Sequence, residues 1–123
     1  MGRRALILFA HGARAASWAE PFERLRDMTR ARLPEVDVSL AFLELMSPRL
    51  PEQVAALAAS GTEHITVVPV FLGQGGHVLR DLPKMLEELR AAYPALRIDT
   101  VGAVGEAPDV LRAMTDYCVS AAG

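Results

Sequence analysis

The feature that most constrains this chain is a fourfold recurrence. Apolar runs begin near residues 5, 36, 64 and 96, a spacing of about 30 residues that matches one strand followed by a crossover helix. Ala5–Ala10 is apolar without interruption, the pattern of a strand buried on both faces. Val36–Leu43 is similar, with Asp37 and Ser39 near its start. His64–Leu72 is rich in Ile and Val. Leu96–Val101 sets Leu96, Ile98 and Thr100 against Arg97, Asp99 and Val101, the alternation of a half-exposed edge strand. Pro69 cannot donate to a ladder, so the third strand is predicted to stop pairing there.

Helical patterns fill the intervals. Ser17 and Glu20 have the spacing of a capping box. Trp18, Phe22, Leu25 and Met28 follow as an apolar stripe, with Pro21 in the first turn. Leu50, Val54 and Leu57 line a second helix, opened by Pro48 or Pro51 and stopped at Gly61. Leu82, Leu86, Leu89 and Tyr93 line a third, predicted to begin near Asp81 with Pro83 in its first turn. Val110, Leu111, Met114 and Tyr117 line a fourth, opened by Pro108. The Met and aromatic positions are expected in the core. Strands alternating with helices predict an α/β fold, a three-layer αβα sandwich around a four-stranded parallel sheet of flavodoxin-like order 2-1-3-4. At 123 residues, the chain 1–123 forms a single domain.

Composition narrows the partners. The 13 basic and 15 acidic residues are interspersed, so no polybasic face points to nucleic acid or an anionic membrane. Cys118 stands alone, which excludes an internal disulfide and any multi-cysteine metal site within one chain. His11 ends the first apolar run too early for an export signal or a membrane span. A soluble, cytoplasmic protein is expected.

Ligands of such sheets bind beyond the carboxyl ends of the strands, where the strand order reverses. His11 follows the first strand, Glu44 the second, and His77 the third after Gly73-Gln74-Gly75-Gly76. In the order 2-1-3-4, His11 and His77 face each other across the crevice with Glu44 beside His11. Neutral imidazoles with a carboxylate suit a late first-row divalent metal, and the same groups accept protons. Glu44 as a cap of the second helix, and Gly73–Gly76 as a plain loop, are the structural alternatives. Gly12, Gly75 and Gly76 leave room for a large flat ligand against the backbone. Arg14, Arg49 and Arg80 are placed to pair with ligand carboxylates. His64 begins the third strand at the opposite end and reads as ordinary surface. Phosphate-binding and dinucleotide-binding glycine loops are missing, as is a Gly-x-Ser-x-Gly elbow.

Three stretches carry a family likeness. Leu8-Phe9-Ala10-His11-Gly12-Ala13-Arg14, Phe42-Leu43-Glu44-Leu45, and Val68-Pro69-Val70-Phe71-Leu72 followed by Gly75-Gly76-His77 resemble the class II tetrapyrrole chelatases, from Leu6 to about Leu111. The family's usual His-Gly-Ser-Arg reads His11-Gly12-Ala13-Arg14 here. The resemblance implies a chelatase-like fold and the insertion of Co²⁺ into sirohydrochlorin on the way to cobalamin. It implies that His11 and His77 form the metal site, that Glu44 takes part, and that the chain works as a homodimer with no organic cofactor. The alternatives are insertion of Fe²⁺ or Ni²⁺ by the same chemistry, or a non-catalytic metal or tetrapyrrole carrier.

Overall fold

The computed structural model describes residues 2–73 and 76–123, with the side chains of residues 76, 77 and 79 outside that description. Its elements in order are β1 (Arg3–Ala10), α1 (Glu20–Arg32), β2 (Asp37–Phe42), α2 (Leu50–Ala59), β3 (Thr62–Pro69), α3 (Gly76–Ala92), β4 (Arg97–Thr100) and α4 (Pro108–Ala122). Short 3-10 turns at Ala16–Ala19 and Val104–Glu106 precede α1 and α4. The strands form one parallel sheet of order β2-β1-β3-β4. That is the expected αβα architecture and strand order, with β4 at an edge.

Burial follows the strand pattern. Ile7 and Phe9 of β1 point to one face, with Ile65 and Val67 of β3 and Ile98 of β4. α2 covers that face with Leu50, Val54 and Leu57, and α3 covers it with Leu82, Leu86 and Leu89. Leu8 of β1 and Val38 and Leu40 of β2 face the other way, packed by Trp18 and Phe22. Those two rings are tilted by 38° with centroids 4.6 Å apart. Pro69 is the last residue of β3 and pairs in register with Phe9, but the pairing does not stop there as expected: Val70 N–H donates to the Phe9 carbonyl at 2.8 Å, a bond that does not need the Pro69 nitrogen.

Four other expectations need correction. Ser17 caps nothing: the residue before α1 is Ala19 and no side chain bonds to the helix end, although Pro21 does lie in the first turn. α3 begins at Gly76, ahead of Asp81, and Pro83 lies inside it. The stripe of α1 is only partly core, since Leu25 and Met28 are exposed. α4 buries none of its residues: Leu111, Met114 and Tyr117 are all exposed, and the helix packs chiefly on the turn before it. Its pattern is amphipathic, but the element it was expected to cover lies elsewhere.

Candidate functional site

Parallel strands aim their carboxyl ends at one rim, so the residue after each strand enters a shared space. His11 leaves β1 and Glu44 leaves β2, and two backbone hydrogen bonds join the two segments just past both strands. Leu43 N–H donates to the Ala10 carbonyl at 2.9 Å, and Glu44 N–H donates to the His11 carbonyl at 3.1 Å. Gly12 has φ of +97°, and a Cβ there would overlap the Glu44 carbonyl oxygen. Only glycine lets the two loops approach so closely. The backbone thus fixes the separation of the two side chains before either makes a contact of its own.

His11 Nε2 lies 3.8 Å from Glu44 Oε1, and both side chains are about half exposed. That separation is too long for a hydrogen bond. Two ligands of one ion, each about 2.0–2.2 Å from it, lie roughly 3–4 Å apart, so the pair suits a shared cation. His11 Nδ1 sits 3.3 Å from the Gly12 carbonyl. A proton on Nδ1 donates there and leaves the Nε2 lone pair facing Glu44.

Glu44 does not cap α2. Glu52 does that, accepting the Arg49 N–H at 2.7 Å. Arg49 also donates from Nε to the Leu43 carbonyl at 3.4 Å, so its side chain ties the Glu44 loop instead of standing free for a ligand. Arg14 is exposed on the loop after Gly12, and Arg80 is exposed on α3. The backbone of His77 lies in the first turn of α3, at the same rim, while its side chain and all of Gly75 lie outside the described residues. Gly76 opens that helix. Among the described residues no three His, Cys, Asp or Glu side chains group as a metal site. The structure therefore brings His11 and Glu44 together and sets the His77 position on the neighbouring element.

Sequence reasoning missed one wall of this space. Asp81, Lys84, Met85 and Glu88 of α3 line, with Leu43, Glu44 and Arg49, a cleft of about 330 Å³. The signal was present, because those α3 residues recur at steps of three and four on one helix face. His64 is also more than surface: its Nε2 lies 2.9 Å from Asp99 Oδ2, which Arg97 Nε also reaches at 2.9 Å. The hydrogen bond from His64, helped by Arg97, holds the Asp99 carboxyl below its ordinary value. This cluster is at the amino end of β3, away from the rim.

The described residues form a parallel αβα sheet with a histidine and a glutamate held at the carboxyl ends of two adjoining strands. The CbiX family model matches residues 5–120, and the chain belongs to that family. A sirohydrochlorin cobaltochelatase of Methanopyrus kandleri is 38% identical over 82 residues, covering 67% of this chain and 57% of the relative. The chain thus spans a little over half the length of that relative. A crystal structure of a CbiX protein from Marinobacter aquaeolei VT8 superposes with a TM-score of 0.84 at 33% identity, covering 95% of both chains. The sirohydrochlorin chelatase SirB of Bacillus subtilis subspecies spizizenii, solved with cobalt, superposes with a TM-score of 0.78 at 25% identity. That match covers 93% of this chain and 50% of SirB.

Proposed function

We propose that this chain is a metal chelatase that inserts Co²⁺ into sirohydrochlorin, working as a homodimer. The observation that carries the reading is the His11–Glu44 pair, held 3.8 Å apart at adjoining strand ends by a contact only glycine permits. The relatives named as sirohydrochlorin cobaltochelatases support the substrate and the metal. The donor set alone does not choose the metal, since imidazole and carboxylate accept Co²⁺, Fe²⁺ and Ni²⁺ alike.

The reaction exchanges two pyrrole protons for one divalent cation, and the two protons leave the macrocycle as the metal enters. His11 and His77 hold the incoming metal and replace part of its water shell. Glu44, half exposed, accepts the two pyrrole protons in turn and passes each to solvent. Gly12 is buried and gives its side-chain space to the Glu44 carbonyl, so Gly75 and Gly76 let the flat macrocycle approach the backbone, and Arg14 and Arg80 pair with its carboxylates. The protein contributes position and proton acceptance, and the macrocycle supplies the driving force.

The test is purified protein with sirohydrochlorin and Co²⁺, Fe²⁺ or Ni²⁺ in parallel, followed by absorbance over many turnovers. Insertion is expected to be fastest with Co²⁺, and to fall at least about 100-fold in His11→Ala and in His77→Ala. Stoichiometric binding without turnover would make the chain a carrier. Full activity in both variants would remove the histidines from the mechanism.

A further inference from the structure

Among the described residues, most of the exposed large apolar side chains lie on α1 and α4, and Val101 follows the edge strand β4. Leu45 and Leu72 stand apart from these. They are 57% and 65% exposed, and both lie at the carboxyl rim of the sheet. Leu45 comes three residues after the end of β2, and Leu72 three residues after the end of β3. The strand order is β2-β1-β3, so the leucines flank the end of β1, where His11 emerges. Neighbouring strands lie about 4.8 Å apart, which sets the two leucines' strands roughly 10 Å apart with His11 between them.

Backbone contacts hold both leucines in place. The loop that carries Leu45 is closed where Phe42 N–H donates to the Pro48 carbonyl at 2.9 Å, and it is tied to β1 where Glu44 N–H donates to the His11 carbonyl at 3.1 Å. Within it Leu45 has φ of +67°, a left-handed conformation that leucine seldom takes and that Gly or Asn takes more easily. On the other side, Gly105 N–H donates to the Phe71 carbonyl at 2.9 Å, and a Cβ at Gly105 would overlap the Leu72 carbonyl oxygen. Neither leucine joins the core on either side of the sheet. A strained backbone that stabilises no packing points to a function for the side chain it displays.

Between the leucines lies a polar centre. His11 and Glu44 are both about half exposed there, 3.8 Å apart. The line across the rim therefore reads apolar, polar, apolar. A second protein surface laid on this line would have to desolvate both polar groups. A tetrapyrrole matches the line as it stands. Its five-membered rings are apolar on their faces, its centre is a ring of nitrogens, and its charged arms lie at the outer edge. We infer that Leu45 and Leu72 form the seat of the macrocycle, each against a five-membered ring on opposite sides, so that the nitrogens are centred over His11 and Glu44. The seat sets the lateral position of the macrocycle, and a misplacement of about 1 Å costs on the order of 100-fold in rate. The inference rests on the chelatase reading and names residues that position its substrate.

The test uses Leu45→Asn, Leu72→Asn and the double variant in the full chain. Metal-free sirohydrochlorin is titrated by absorbance, Co²⁺ is titrated by calorimetry without the macrocycle, and Tm is read by circular dichroism. Each single substitution is expected to weaken macrocycle binding about tenfold, and the pair about 100-fold, as the loss of one and of two buried leucine contacts. Co²⁺ affinity should not move with it. Leu72→Met, which keeps an apolar side chain, should bind the macrocycle as the parent does. Leu45→Asn should melt no lower than the parent, because Asn accepts the left-handed conformation better. A Tm that falls in step with binding would make the leucines structural and overturn the inference. A fall from dimer to monomer in light scattering would make them a contact between copies and also overturn it. A double variant that inserts Co²⁺ as fast as the parent at limiting macrocycle overturns the seat and leaves the chelatase reading standing. Weakened binding in variants of a parent that never inserts metal keeps the seat and removes the chelatase reading. A parent that binds no sirohydrochlorin overturns both.

Discussion

Replacing Gly12 by alanine tests whether the His11–Glu44 pair is positioned by backbone contact. The substitution has two costs. A non-glycine residue held at φ +97° is in the left-handed half of backbone space, which costs about 1–2 kcal/mol. The new Cβ would overlap the Glu44 carbonyl oxygen and lie 3.0 Å from its carbon. This is backbone tied to β1, so it cannot swing aside like a side-chain tip, and overpacking of this kind costs about 1–3 kcal/mol. A loss near 3 kcal/mol follows, which lowers Tm by about 10–15 °C for a chain of this size. Relaxation must push the Glu44 loop outward and open the 3.8 Å gap, so Co²⁺ affinity should fall along with Tm. Thermal melting by circular dichroism and metal titration by calorimetry read the two effects. Gly73→Ala is the control, since a Cβ there has nothing within 4 Å. A Gly12→Ala protein that melts within about 3 °C of the parent and binds Co²⁺ as tightly would refute the reasoning.

Further outcomes follow from the same structure. Leu50→Ala empties a fully buried position between α2 and the sheet and should cost about 2–5 kcal/mol in urea denaturation; a loss under 1 would mean that α2 is not a core element. Glu44→Gln keeps the shape of the side chain but not its basicity, and is expected to slow insertion about 100-fold, more than it weakens Co²⁺ binding; normal turnover would exclude Glu44 as proton acceptor. Asp99 has a folded pKa below its unfolded one, chiefly through the hydrogen bond from His64. Its contribution to stability is therefore present above about pH 4 and lost as pH falls through the folded value. Carbon-13 NMR should place its midpoint below that of the denatured chain, and His64→Ala should move it upward; an unmoved midpoint would refute the assignment.

The strands were legible because each is a short apolar run bounded by polar residues. The helix starts were harder. Gly-Gly before His77 reads as loop, and Pro83 reads as a first-turn proline, yet α3 starts at Gly76 and runs through Pro83. An amphipathic stripe says that something must cover it, not what. Met114 and Tyr117 were therefore assigned to a core they do not join. His64 looked ordinary because Asp99 lies 35 residues away in sequence and on a different strand. At the rim, the positions of His11 and Glu44 followed from strand ends alone. The role of Arg49 did not, since only the folded loop brings the Leu43 carbonyl to its guanidinium.

Loops that hold reactive groups commonly open before the body of a protein does. The rim at β1 and β2 departs from that rule, because the Leu43 and Glu44 amides, just past β2, are bonded directly to the backbone at the end of β1. Neither can exchange its proton for deuterium without the segment after β2 parting from the end of β1. Uptake at Glu44 should therefore keep pace with the amides of β2 and lag well behind the Gly73 loop. On heating, the histidine–glutamate pair should persist until the sheet itself gives way, so that metal affinity and fold are lost at one temperature.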